Sequence, residues 1–139
     1  MSPNLESSIA HKLSTAHSKL SRYIEGSLTV HGISYTEYQV MRCLFQSPDM
    51  TMRRIQLAEC IGLTASGVTR LLTPMEKIGL VRKQVNSRDA RVSLVELTSA
   101  GKNLFINAEK TVGGAAECSL NSLRSAQKAK LLEILDLIA

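Results

Sequence analysis

A chain of 139 residues, 44% hydrophobic and 21% charged, has the size and composition of one globular domain, which excludes wholesale disorder. No apolar run approaches the length of a membrane span, and the opening MSPNLESSIAHKLSTAHSK is too polar for an export signal, so a cytoplasmic protein is expected. The formal charge of +5 is confined to one region: residues 50–102 carry nine Lys/Arg against four Asp/Glu, while 1–49 and 103–139 each hold four of either sign. A basic middle between neutral flanks favours a polyanion partner.

Cys43, Cys60 and Cys118 are odd in number, widely spaced and form no CxxC, which argues against a disulfide framework or a zinc finger. Each is expected to be a small buried apolar residue. His11, His17 and His31 have no paired spacing, so no metal site and no cofactor is expected.

Taken in order, Leu5, Ile9, Leu13, Ala16, Leu20, Tyr23/Ile24 and Leu28 recur at three- and four-residue steps and predict one long helix over 5–29, closed near Gly32. A second helix starts at Ser34–Thr36, where Ser34 and Glu37 have capping-box spacing. Tyr38, Met41, Leu44 and Phe45 form its apolar face, and Ser47-Pro48-Asp49 stops it. Met50-Thr51-Met52 is either a short strand or a connection.

From Arg53 the pattern is more specific. Arg53–Ile61 predicts a short helix, Gly62-Leu63-Thr64 a turn, and Ala65–Ile78 a second helix with Val68, Leu71, Leu72, Met75 and Ile78 as its buried stripe. Ala58, Gly62 and Val68 fit a helix-turn-helix: a small residue for close approach, a glycine for the turn, an apolar residue locking the pair. Thr64 precedes this second helix; Ser66, Thr69, Arg70, Thr73 and Lys77 are left on its outer face, small enough to enter a major groove. The alternative is an ordinary helical hairpin with a solvated face. Pro74 removes a donor from that helix and predicts a local bend or an altered last turn.

Leu80–Val85 and Val92–Leu97 flank the polar tip Asn86-Ser87-Arg88-Asp89-Ala90-Arg91 and predict a β-hairpin with a long loop. It carries Arg82, Lys83, Arg88 and Arg91 against Asp89 within ten residues. The hairpin is either a cationic probe for nucleic acid or a solvated edge that discourages aggregation. The confined charge favours the first, with Arg53 and Lys83 as candidate phosphate contacts.

Thr98 caps a further helix through Leu104, Ala108, Val112 and Ala115/Ala116, in which Gly113-Gly114 would permit a bend or a close approach. A last helix from Ser125 carries Leu131, Leu132, Ile134, Leu135, Leu137 and Ile138, more apolar residues than one face requires. Packing within the chain would account for some; an oligomer interface formed with the first helix accounts for the surplus and is favoured. The fold class is therefore mainly α with a small β-hairpin: a winged helix-turn-helix over 34–97, with N- and C-terminal dimerisation helices over 5–30 and 98–138.

The segments YTEYQVMRCL (35–44), LAECIGL (57–63), TASGVTRLL (64–72), MEKIGLVR (75–82), SRDAR (87–91) and LTSAG (97–101) resemble the MarR family of bacterial transcriptional regulators. The resemblance covers about residues 10–138, and its most specific part is Asp89-Ala90-Arg91 followed by Leu97-Thr98 and Gly101. It implies a homodimeric repressor on a pseudo-palindromic double-stranded DNA operator. The helix from Thr64 would enter the major groove with Ser66, Thr69 and Arg70 at contact positions. Arg91 would enter the minor groove, directed by Asp89, and a narrow minor groove concentrates negative potential that an arginine can follow. Arg88 departs from the family's usual small or acidic residue and reads as an extra phosphate contact. The family commonly answers to small aromatic or anionic effectors, to oxidants or to metals. Oxidant sensing of the usual kind is disfavoured, because no cysteine lies in the first helix.

Two other classes compete. A protein-interaction module with an acidic partner would explain the charge but has no use for hydroxyls beside Arg70. An enzyme lacks a nucleophile–base arrangement, a phosphate loop and paired metal ligands.

Overall fold

The computed structural model describes residues 1–85, 88–89 and 91–139. It comprises α1 (Leu5–Ser27), α2 (Tyr35–Phe45), β1 (Thr51–Arg53), α3 (Arg54–Ile61), α4 (Ala65–Lys77), β2 (Val81–Val85), β3 (Ser93–Leu97), α5 (Ser99–Ser119) and α6 (Ser125–Asp136). These form two compact units, Leu28–Lys110 and the pair Met1–Ser27 with Thr111–Ala139. The division falls inside α5 rather than at its start.

The Leu28–Lys110 unit is built around side chains with almost no exposure, Leu28, Met41, Leu44, Leu57, Leu72 and Met75 among them. α2 begins with the expected capping box: Ser34 Oγ accepts from Glu37 N–H at 3.0 Å, and Glu37 Oε1 accepts from Ser34 N–H at 2.8 Å. Of Met50-Thr51-Met52, left open between strand and connection, Thr51 and Met52 lie in a strand that also takes in Arg53, where the helix was expected to begin. β1 pairs antiparallel with β3, which pairs on its other side with β2, giving the order β1-β3-β2. The registers Arg53↔Leu94 and Val81↔Leu97 fix which side chains share a face. Of β2 only Val81 is buried; Val85, read as part of an apolar run, is exposed.

The helix-turn-helix is formed by α3 and α4. Gly62 takes φ +70°, a left-handed conformation that a side chain would strain, and Leu63 N–H reaches back to Ala58 O at 2.9 Å to close α3. Thr64 caps α4 by accepting from Gly67 N–H at 3.1 Å. α4 passes through Pro74 without ending and reaches Lys77. Ile78, placed on the buried stripe by its spacing, is 64% exposed, because it is the residue at which the helix stops and the chain turns.

α5 starts where Thr98 accepts from Gly101 N–H at 3.0 Å. A Cβ on Gly101 would lie 2.2 Å from the carbonyl oxygen of Leu80, so only glycine lets α5 approach the backbone that leads into β2 this closely. The other expected close approach is absent among the described residues: α5 runs through Gly113-Gly114, and nothing lies within 4 Å of where their side chains would be.

The cysteines require a correction. None is buried: Cys43 is half-buried, Cys60 and Cys118 are exposed, and Cys43 and Cys60 form a disulfide between α2 and α3. Their α-carbons are 6.9 Å apart, just beyond the usual separation for such a bridge. Spacing of 17 residues in sequence says nothing of this, because it depends on two helices lying side by side. Among the described residues no group of three or more His, Cys, Asp or Glu could hold a metal ion, and no helix is long and apolar enough to cross a membrane.

Candidate nucleic-acid interface

Three elements of the Leu28–Lys110 unit carry the residues singled out in the sequence. Ser66, Thr69 and Arg70 are exposed on α4, and Thr64 stands at its N-terminus with its hydroxyl 3.2 Å from Ser66 Oγ. This end of the helix also carries the positive end of the helix dipole, which favours an anion.

Of the hairpin tip, Asn86, Ser87 and Ala90 lie outside the described residues. Arg88, Asp89 and Arg91 are described. Asp89 Oδ1 accepts from Arg91 N–H at 3.0 Å and from Arg91 Nε–H at 3.2 Å. These two bonds, the backbone one first, hold the Asp89 carboxyl below its usual pKa. Arg91 is 92% exposed, so its direction comes from that carboxylate rather than from packing. Lower on the hairpin Arg82 is bonded to Glu96 at 2.8 Å, across the β2–β3 register.

Between the wing, α3 and α4 lies a cleft of about 580 Å³, lined by Arg53, Arg54, Leu63, Thr69 and Arg91 among others. Of the expected site residues it gathers Arg53, Thr69 and Arg91. Thr64, Ser66, Arg70 and Arg88 stand outside it, and Lys83 points elsewhere, 3.9 Å from Glu76 Oε2. Arg54 was missed by the sequence reading. Its guanidinium donates to Thr69 Oγ1 at 2.5 Å, tying the start of α3 to the exposed face of α4. The Arg53-Arg54 doublet was visible as charge, but which arginine turns towards α4 depends on where the strand ends and the helix begins.

A second anchored polar pair lies in the same unit, away from this cleft. Tyr38 donates its hydroxyl to Glu109 Oε2, and burial, with Glu109 second, pushes the phenol well above its usual pKa. Its ring stacks on Phe105, with centroids 5.6 Å apart, so it anchors α2 on α5.

Comparison with known proteins finds similarity over the same segment. The MarR family model matches residues 33–93. The Escherichia coli homoprotocatechuate degradative operon repressor is 27% identical over 106 residues, 74% of this chain and 70% of that protein. The E. coli HTH-type transcriptional regulator PrsX is 26% identical over 86 residues, 62% of this chain; the match spans only 52% of PrsX, about half the length of that relative. Among solved structures, a MarR-family regulator from Rhodococcus sp. RHA1 is similar with a TM-score of 0.90 at 20% identity, covering 99% of this chain and 96% of that one. Sco3205 of Streptomyces coelicolor, a MarR family regulator solved in complex with DNA, gives 0.85 at 21% identity, with 99% and 88% covered. The winged helix-turn-helix thus lies in the segment that the MarR family model matches, and the fold of the chain is that of solved MarR-family regulators.

Proposed function

We propose that this chain is a homodimeric repressor that binds a pseudo-palindromic double-stranded DNA operator and releases it on binding a small aromatic or anionic effector. In this reading α4 enters the major groove with Ser66, Thr69 and Arg70 at the base edges and Thr64 near a phosphate. The wing follows the adjacent minor groove, Arg91 as its probe, Asp89 as its brace and Arg88 on a phosphate. Arg53 and Lys83 are the remaining phosphate contacts. A cytoplasmic location goes with this role.

The observation that carries the reading is the cleft where Arg53, Arg54, Thr69 and Arg91 converge from β1, α3, α4 and the wing. Three guanidinium groups around one concave surface suit a polyanion. Dimerisation is supported by apolar side chains left uncovered on the terminal helices, Leu5, Ile9, Leu132 and Leu137 among them. The effector is supported by a mostly apolar cavity of about 770 Å³ in the terminal-helix unit, bordered by Leu13, His17, Lys19, Tyr23 and Leu135. Apolar walls with one cationic side chain suit an aromatic anion. Repression is supported only by the names of relatives such as the homoprotocatechuate operon repressor.

Selection of bound fragments from genomic DNA, followed by gel shift, tests the reading. A preferred fragment, with affinity falling steeply as salt rises, is expected. Arg91→Ala should weaken binding tenfold or more, a loss of roughly 1.4 kcal/mol; undiminished affinity at the same moderate salt would overturn the wing's role. Failure to enrich any fragment would instead favour an acidic protein partner for the basic face.

A further inference from the structure

We infer that Thr69 reads a thymine through its methyl group, and that Arg54 is the positioning residue that makes it do so. The inference rests on the DNA-binding reading above and adds to it the base chemistry of one contact.

The hydrogen bonds of Thr69 leave little choice. Its Oγ1 lies 3.1 Å from the carbonyl oxygen of Ala65 and 2.5 Å from Arg54 Nη2. A carbonyl can only accept and a guanidinium can only donate, so the hydroxyl proton goes to Ala65 and a lone pair goes to Arg54. Threonine has only two branches on Cβ, and the oxygen is held by both of these bonds. The branch left for whatever meets the exposed face of α4 is Cγ2, a methyl group. An unclamped threonine could rotate and offer its O–H to guanine O6 or to a purine N7. Clamped, it has no proton to donate. The methyl contact that the major groove offers is the C5-methyl of thymine.

Arg54 has the geometry for this role and Arg53 does not. Arg54 is the first residue of α3 and half-buried, and its guanidinium crosses 15 residues of sequence to reach the recognition helix. Thr73, one turn further along α4, also turns its hydroxyl back, donating to Thr69 O at 2.8 Å, and so keeps its proton from the groove.

The test uses the full chain and a fragment already enriched by the wild type. Each thymine of a half-site is replaced singly by deoxyuracil, which removes the C5-methyl and nothing else. At one or more positions the wild type should lose about fourfold in affinity, the worth of one buried methyl group. Thr69→Ser, which keeps the hydroxyl and loses the methyl, should abolish the discrimination at one of these positions. Thr69→Val, which keeps a methyl there, should retain it. Arg54→Ala should lower the thymine-to-uracil ratio at that same position; a purely electrostatic Arg54 would weaken both DNAs alike and leave the ratio unchanged, which would overturn its positioning role. Indifference of the wild type to every replacement, or full discrimination in Thr69→Ser, overturns the methyl contact while the DNA-binding reading stands. If the wild type enriches no fragment, both fall together. Circular dichroism and thermal melting confirm that the variants, all at surface or half-buried positions, remain folded.

Discussion

The two units of this chain differ in how completely each satisfies itself. Leu28–Lys110 has a closed core and capped helices, and a sheet strand, β3, paired on both sides. In the terminal-helix unit, by contrast, α1 buries only Ile24 and α6 buries nothing, while Leu132 is 63% and Leu137 83% exposed. The contrast teaches that exposed charge and exposed apolar surface have different meanings. The first unit has charges left over after folding, and the second has hydrophobic area left over. One kind of surplus suits a polyanion, the other suits a second protein surface.

The comparison can be broken most severely at the core of the first unit. Leu72→Ala, at a side chain only 2% exposed, should cost about 2–5 kcal/mol and lower the thermal midpoint sharply. The same truncation at exposed Leu132 should change the melting of the isolated chain little. Next in size is the Cys43–Cys60 bridge, which closes 17 residues of sequence within the first unit. Reduction, or Cys43→Ser with Cys60→Ser, should lower stability by about 3 kcal/mol in a chain-entropy account, read by urea titration with and without dithiothreitol. An unchanged midpoint would show that the tether adds nothing to a unit already held by its core.

The complementary break lies in the second unit. Leu132→Glu together with Ile138→Glu should shift sedimentation towards monomer at micromolar concentration while far-UV circular dichroism stays the same. Operator affinity should fall with it, since paired half-sites need a paired protein. A wild-type chain that sediments as a monomer would remove the contrast. Removing the cap with Ser34→Ala is a smaller change, costing about 1 kcal/mol.

The smallest effect concerns the wing. The folded-state pKa of Asp89 is depressed, so its brace is fully present above the ordinary carboxyl value and is lost as pH falls through the lower, folded value. An NMR titration of the Asp89 carboxyl should therefore give a midpoint below the ordinary aspartate value of about 3.9, and Arg91→Ala should move it back up. Binding to DNA at neutral pH should not vary through this group.

Much of the winged unit was legible in the chain because its signals are local. The Ser34–Glu37 box, the Ala58-Gly62-Val68 spacing and the Thr98 cap each depend on residues within a few turns of one another, where helix and turn geometry dictate who meets whom; the Asp89–Arg91 pair was expected from the family resemblance. Ile78 was misplaced by the same logic carried one turn too far: periodicity cannot tell that a helix ends at Lys77. Cys43–Cys60, Arg54–Thr69 and Tyr38–Glu109 were not legible, being 17, 15 and 71 residues apart.

By itself, then, the sequence determined the order of the elements, the confinement of charge to the middle of the chain and the local pairs that cap the helices. These follow from backbone geometry and side-chain chemistry over a single turn. Only the tertiary structure decided that Cys43 bridges α3, that Gly101 must be glycine because the Leu80 carbonyl lies against it, and that Arg54 rather than Arg53 holds Thr69. Such contacts arise where separate elements cross, and the crossing is set by how the whole core packs, not by any stretch of chain read alone.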